Sequence, residues 1–138
     1  MEHIAIQNKE YTFDPLPTLT ILCRCKQRKD PPYEKVATGD IVYILQDGLI
    51  RVKATVSRAL SKEYDDISEI RDLCKGTSPS LYNGVNYWNA MRNRRYGTVV
   101  WLTSNNLLSR PIYPKTRSYG SDWIILDSQQ KRQKWLGY

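Results

Sequence analysis

Asp40-Ile41-Val42-Tyr43-Ile44-Leu45-Gln46-Asp47-Gly48-Leu49-Ile50-Arg51-Val52-Lys53-Ala54-Thr55-Val56-Ser57-Arg58-Ala59-Leu60 is two β-rich runs around a tight turn. Asp-Gly tolerates positive φ, so the stretch predicts an antiparallel hairpin that reverses at Gln46-Asp47-Gly48. In the second run Ile50, Val52, Ala54 and Val56 alternate with Arg51, Lys53, Thr55 and Ser57. One face of that strand packs and the other meets water or ligand. The first run, Ile41 to Leu45, is apolar on both faces.

Working outward, Leu19 to Arg28 alternates as well. Leu19, Ile21, Cys23 and Cys25 fall on one side, and Arg24, Lys26 and Arg28 on the other, which predicts a strand displaying a basic stripe. Asp30-Pro31-Pro32-Tyr33 cannot continue a central strand, because proline lacks the donor and constrains its predecessor. The chain is expected to turn there, with a short helical turn at Tyr33 to Val36. Beyond the hairpin, Asp65 to Lys75 reads as a helix, and Leu81, Val85, Trp88 and Met91 form a stripe on a second helix from about Ser80. Gly97 to Thr103, Leu107 to Tyr113 and Asp122 to Leu126 read as three further strands. Asp127 followed by Gln130 resembles a capping box that opens a last helix ending near Gly137. The sequence therefore predicts an α+β fold, a small barrel with helices beside it.

The chain has 138 residues, 41% of them apolar, the size of one domain, 1–138, with a core that needs no metal or disulfide framework. No run of about 18 apolar residues exists to span a membrane. The N-terminus lacks the features of a secretory signal, so a cytoplasmic protein is expected. Cys23, Cys25 and Cys74 are odd in number and lack paired metal spacing, and read as reduced, partly buried thiols. His3, the one histidine, is expected on the surface or a sheet edge and cannot supply a catalytic triad or a multi-histidine metal site. No phosphate-binding loop, dinucleotide fingerprint or zinc-hydrolase element is present, so no cofactor and no metal are expected. The carboxylates Glu63, Asp65, Asp66 and Glu69 sit where a helix begins and suit its positive end.

The formal charge is +7, and its distribution is uneven. Residues 1–91 hold 12 basic and 12 acidic side chains, whereas residues 92–138 hold nine basic ones against Asp122 and Asp127. Such asymmetry attracts polyanions. Around a Ser-Tyr-Gly-Ser turn the same region groups Tyr113, Lys115, Arg117, Tyr119 and Trp123, the residue types that neutralise phosphate and stack on bases.

Four stretches carry a family resemblance: His3 to Ile6; Pro32-Tyr33-Glu34-Lys35-Val36 with Gly39-Asp40-Ile41-Val42-Tyr43; Lys53 to Val56; and Pro111-Ile112 with Lys115, Gly120 and Trp123. In this order they resemble the ASCH domain family, within the PUA-like superfold that also contains PUA, EVE and YTH domains. The resemblance implies a PUA-like barrel of about five to seven mixed strands with two or three flanking helices. It also implies a cleft between barrel and helices for RNA, single-stranded nucleic acid or a modified base. Some members are amidohydrolases or ribonucleases with a G-x-K-x-x-E-x-R segment. Here Arg24 keeps the arginine, but Leu19 and Leu22 stand at the lysine and glutamate and cannot transfer a proton.

The expectation is thus a nucleic-acid-binding domain in which Arg24, Lys26, Arg28, Lys53, Lys115 and Arg117 meet phosphate while Tyr119, Trp123 and Tyr33 stack on or enclose a base. The alternative is an RNA- or nucleobase-directed hydrolase using Lys53 or Lys115 with Glu34. A third reading is a protein-interaction module whose Lys131, Arg132 and Lys134 dock on an acidic partner.

Overall fold

The computed structural model describes residues 1–7, 21–75, 85–115 and 121–138. The hairpin is the centre of the fold. Strand β3 (Ile41–Gln46) and strand β4 (Leu49–Glu63) pair antiparallel. They are joined by Asp47 and Gly48 at φ 56° and 77°, the positive pair that a tight turn between twisted strands requires.

Strand β1 (Glu2–Ile6) lies parallel to β3, and the short β6 (Trp123–Ile125) pairs antiparallel with β1. On the other side β4 pairs with β5 (Tyr96–Ile112), and β5 with β2 (Ile21–Lys26). The result is one mixed, curled sheet in the order β2-β5-β4-β3-β1-β6. With helices α1 (Ser68–Cys74), α2 (Val85–Met91) and α3 (Gln129–Leu136) it makes an α+β half-barrel.

Two apolar clusters hold it. One joins the sheet, through Leu22, Cys23, Val99 and Val100, to Tyr64, Ile70, Cys74, Tyr87 and Trp88 around α1 and α2. Close approach there needs Gly97, where a Cβ would lie 2.6 Å from Ile70 Cδ1. The other seats Trp135 and Leu136 of α3 against Ile4, Tyr43, Leu45 and Ile50. The sheet is covered on both faces, as the doubly apolar β3 requires.

Several expectations are corrected. Gly97 to Thr103 and the stretch expected over Leu107 to Tyr113 fall in one strand, β5, which ends at Ile112, because Ser104-Asn105-Asn106 forms a bulge and not a reversal. Thr55 pairs with Thr103 and Lys53 with Asn106, so Ala54 is matched by both Ser104 and Asn105. Ser104 takes a φ of 52°, which absorbs the extra residue. Tyr33 to Val36 makes turns, closed by Tyr33 N–H to Asp30 O and Lys35 N–H to Pro32 O, and no helix. The α3 cap is Ser128, whose hydroxyl accepts from the Lys131 N–H, while Asp127 pairs with the Lys131 side chain at 3.0 Å. The expected helix from Ser80 is described from Val85 onward; Leu81 lies outside the described residues.

Candidate functional site

The two end strands of the half-barrel, β2 and β6, face each other across a seam that side chains close. Alternation places Arg24 opposite Cys23 and Cys25, but β2 is buried on both faces, and Arg24 is 7% exposed. Its guanidinium donates to Cys23 O at 3.0 Å, Ile6 O at 2.8 Å and Gln7 Oε1 at 3.1 Å. It lies 3.3 Å from Asp122 Oδ2 and 5.6 Å from the Trp123 ring centroid. Lys26 donates to the other Asp122 oxygen. A buried guanidinium holds its charge only with such partners, so the expected displayed stripe is corrected. Arg24 closes the seam from within, Lys26 is half-buried beside it, and Arg28 alone of the three is exposed.

Behind the seam, Trp123 is 2% exposed. Its indole N–H donates to His3 Nδ1 at 3.1 Å, and His3 Nε2 lies 2.8 Å from Asp40 Oδ2. Since the indole can only donate, Nδ1 is an acceptor and Nε2 carries the proton given to Asp40. Burial pushes the His3 imidazole below its ordinary value against the opposing pull of Asp40. His3 is therefore a buried, neutral strut, not the surface residue expected, and both its ring nitrogens are engaged. For Asp40, burial favours the neutral acid, but the His3 hydrogen bond and the Ala37 N–H outweigh it and keep the carboxyl ionised.

Between the seam and α2 opens a cleft of about 300 Å³. Arg24, Lys26 and Arg94 enter it as cations against one carboxylate, Asp122, and Tyr87 and Met91 supply its helical wall. Arg94 donates to Cys25 O at 3.3 Å, and the Tyr87 hydroxyl to Cys23 O at 3.1 Å, so the cleft's walls are tied to β2. The Cys23 and Cys25 thiols also border it. The Cys25 hydrogen bond draws Cys23 down, yet Cys74 and burial outweigh it and push the thiol up; Cys25 is pushed up by its bond with Cys23 and by burial. Both stay protonated and are poor nucleophiles.

The other expected residues are spread. Tyr33 is buried, edge-on to Tyr96 with ring centroids 5.2 Å apart, so its ring packs on the protein's own. Trp123 is likewise a core residue and not an open stacking platform. Lys53 is exposed on β4 opposite Tyr43. Glu34 is exposed, its N–H bonded to Ser61, and Lys115 is exposed with its N–H bonded to Lys134 O. Lys53, Lys115 and Glu34 do not line the cleft. Arg117 and Tyr119 lie outside the described residues. Lys131 pairs with Asp127, and Arg132 turns back to Glu2 at 2.7 Å and to Tyr138 O, leaving Lys134 as the exposed cation of that trio without a described carboxylate partner. Arg94, Asp122, Tyr87 and Gln7 were not singled out from sequence. Asp122 carried a signal, as one of two acids in a basic tail; Tyr87 carried none, because it falls off the helical stripe.

No family model matches the sequence, and no curated protein matches it. Solved structures do. A serine-to-alanine variant of an ASCH protein from Zymomonas mobilis superposes with a TM-score of 0.65 at 11% identity, over 96% of this chain and 92% of that one. A tyrosine-to-phenylalanine variant gives 0.62 at 13% identity, covering 96% and 94%. The ASCH crystal structure from the same organism gives 0.61 at 13% identity, covering 96% and 92%. The seam, the cleft and the helices beside them are thus built on the ASCH fold that the sequence resembles.

Proposed function

We propose that the protein binds single-stranded nucleic acid, RNA in preference to DNA, with one base held in the cleft between the seam and α2. The observation that carries this reading is the convergence of Arg24, Lys26 and Arg94 against a single carboxylate on a cleft walled by Tyr87. The volume, about 300 Å³, is at the small end of ligand sites and suits a base better than a folded partner. Arg95 N–H bonds Lys26 O and Gln27 bonds Asn93 O, which ties the end of β2 to the segment that carries Arg94 into the cleft. The resemblance of the sequence to the ASCH family favours RNA. A hydrolase reading draws no support from Lys53, Lys115 and Glu34, which stand apart from the cleft.

Fluorescence anisotropy with labelled single-stranded and duplex RNA and DNA at low and moderate salt tests the reading. Single-stranded RNA binds best, with a log-log salt slope of about −0.7 for each phosphate neutralised, and Arg94→Gln weakens it. Binding that ignores salt, or no binding to any of the four, overturns the reading.

A further inference from the structure

A second cavity, of about 530 Å³, lies on the other side of the Lys26–Asp122 pair. Its lining mixes apolar Pro31, Ile124 and Ile125 and the edge of Trp123 with Asp30 and Ser121, and Lys131 stands at its side held by Asp127. Lys26 lines both cavities. Chain order makes the same point: Asp122 borders the first, and its neighbours Ser121 and Trp123 border the second. The two therefore meet at one ammonium group.

We propose that the seam takes two consecutive nucleotides of a single strand, one base in each cavity, with the linking phosphodiester on Lys26. The inference rests on the nucleic-acid reading above and adds to it the length of strand read and the residue that sets it. Charge distributes as this arrangement needs. The first cavity has three cations against one carboxylate, whereas the second balances Lys26 and Lys131 against Asp30 and Asp127. An anionic group is favoured at the Lys26 side, and an uncharged base in the charge-balanced cavity beyond it. An ammonium has three donors. Asp122 takes one, and it is the polar partner of Lys26 among the described residues, so donors remain for a phosphate oxygen.

The test is isothermal titration, at one salt concentration, of adenosine and cytidine, of the dinucleotides ApA and CpC, and of the same dinucleotides with an uncharged methylphosphonate link. The protein is used as wild type, Lys26→Gln and Lys26→Arg. For wild type, at least one phosphodiester dinucleotide binds about tenfold or more tighter than its nucleoside, as a charged hydrogen bond and a second base contact require. The methylphosphonate loses most of that gain. Lys26→Gln removes the difference between the two linkages, and Lys26→Arg restores it. If nucleoside and dinucleotide bind alike, the two-site inference falls while the base-binding reading stands. If none of these ligands binds, both fall. If the linkage difference survives in Lys26→Gln, the role of Lys26 is overturned. Should that variant fail to fold by its thermal transition, the wild-type comparison of the two linkages decides: equal affinities overturn the proposal.

Discussion

The guanidinium of Arg24 is the charge around which the seam is assembled, and its environment determines what its loss does. Replacing it with methionine keeps the volume but removes a donor from the Ile6 and Cys23 carbonyls and the Gln7 amide oxygen, and the cation from Asp122. Arg24→Met is expected to cost about 3 kcal/mol in urea unfolding. A loss under about 0.5 kcal/mol, typical of surface changes, would show that the seam does not depend on it. His3 gives a prediction in pH. Its folded-state imidazole is held below the ordinary value of 6.5, so the unfolded chain binds the proton more readily. Stability is then full above that value and falls as the pH drops below it. Protonation would also give Nδ1 a hydrogen facing the Trp123 donor. Unfolding free energies at pH 7 and pH 5.5 should differ in this sense, and His3→Gln should remove that part of the slope. An equal slope in the variant would contradict the assignment.

At the scale of elements, the last helix separates two caps. Ser128 accepts the Lys131 N–H, and Asp127 makes an exposed side-chain pair. Ser128→Ala should cost about 1 kcal/mol, and Asp127→Ala less, since an exposed ion pair adds little, both read from thermal transitions; the reverse order would restore the cap expected from sequence. That misplacement by one residue shows what sequence could tell. The hairpin was legible because Asp47-Gly48 and the alternation after it are local signals, and neither needs knowledge of the rest of the chain. The bulge at Ser104 was not, because Ser-Asn-Asn has turn chemistry whether the strand reverses or only absorbs a residue against β4. Arg24 was misread for a related reason. Period-2 alternation says which side chains share a face but not whether the second face is covered, and here the curl of the sheet covers it.

Over the whole molecule, the basic C-terminal third is not one surface. Arg94 reaches the cleft from just before β5, Arg95 pairs with Glu63, and Arg132 turns inward to Glu2. Net charge and its sequence position pointed towards a polyanion, but not to where it would sit; the joining of β2 to β5 supplies that. The half-barrel architecture was readable from the order of elements, since a β-rich first half, a helical insertion and returning strands close into one sheet. The cleft was not, because its walls come from parts of the chain that meet only once β2 and β6 face each other. Backbone amide NMR during titration with a short single-stranded RNA locates the bound strand. A strand seated in the cleft shifts Cys23 to Lys26, Tyr87 to Arg94 and Ser121 to Trp123; shifts confined to Lys131 to Lys134, or spread evenly over the exposed lysines and arginines, would show that it binds elsewhere.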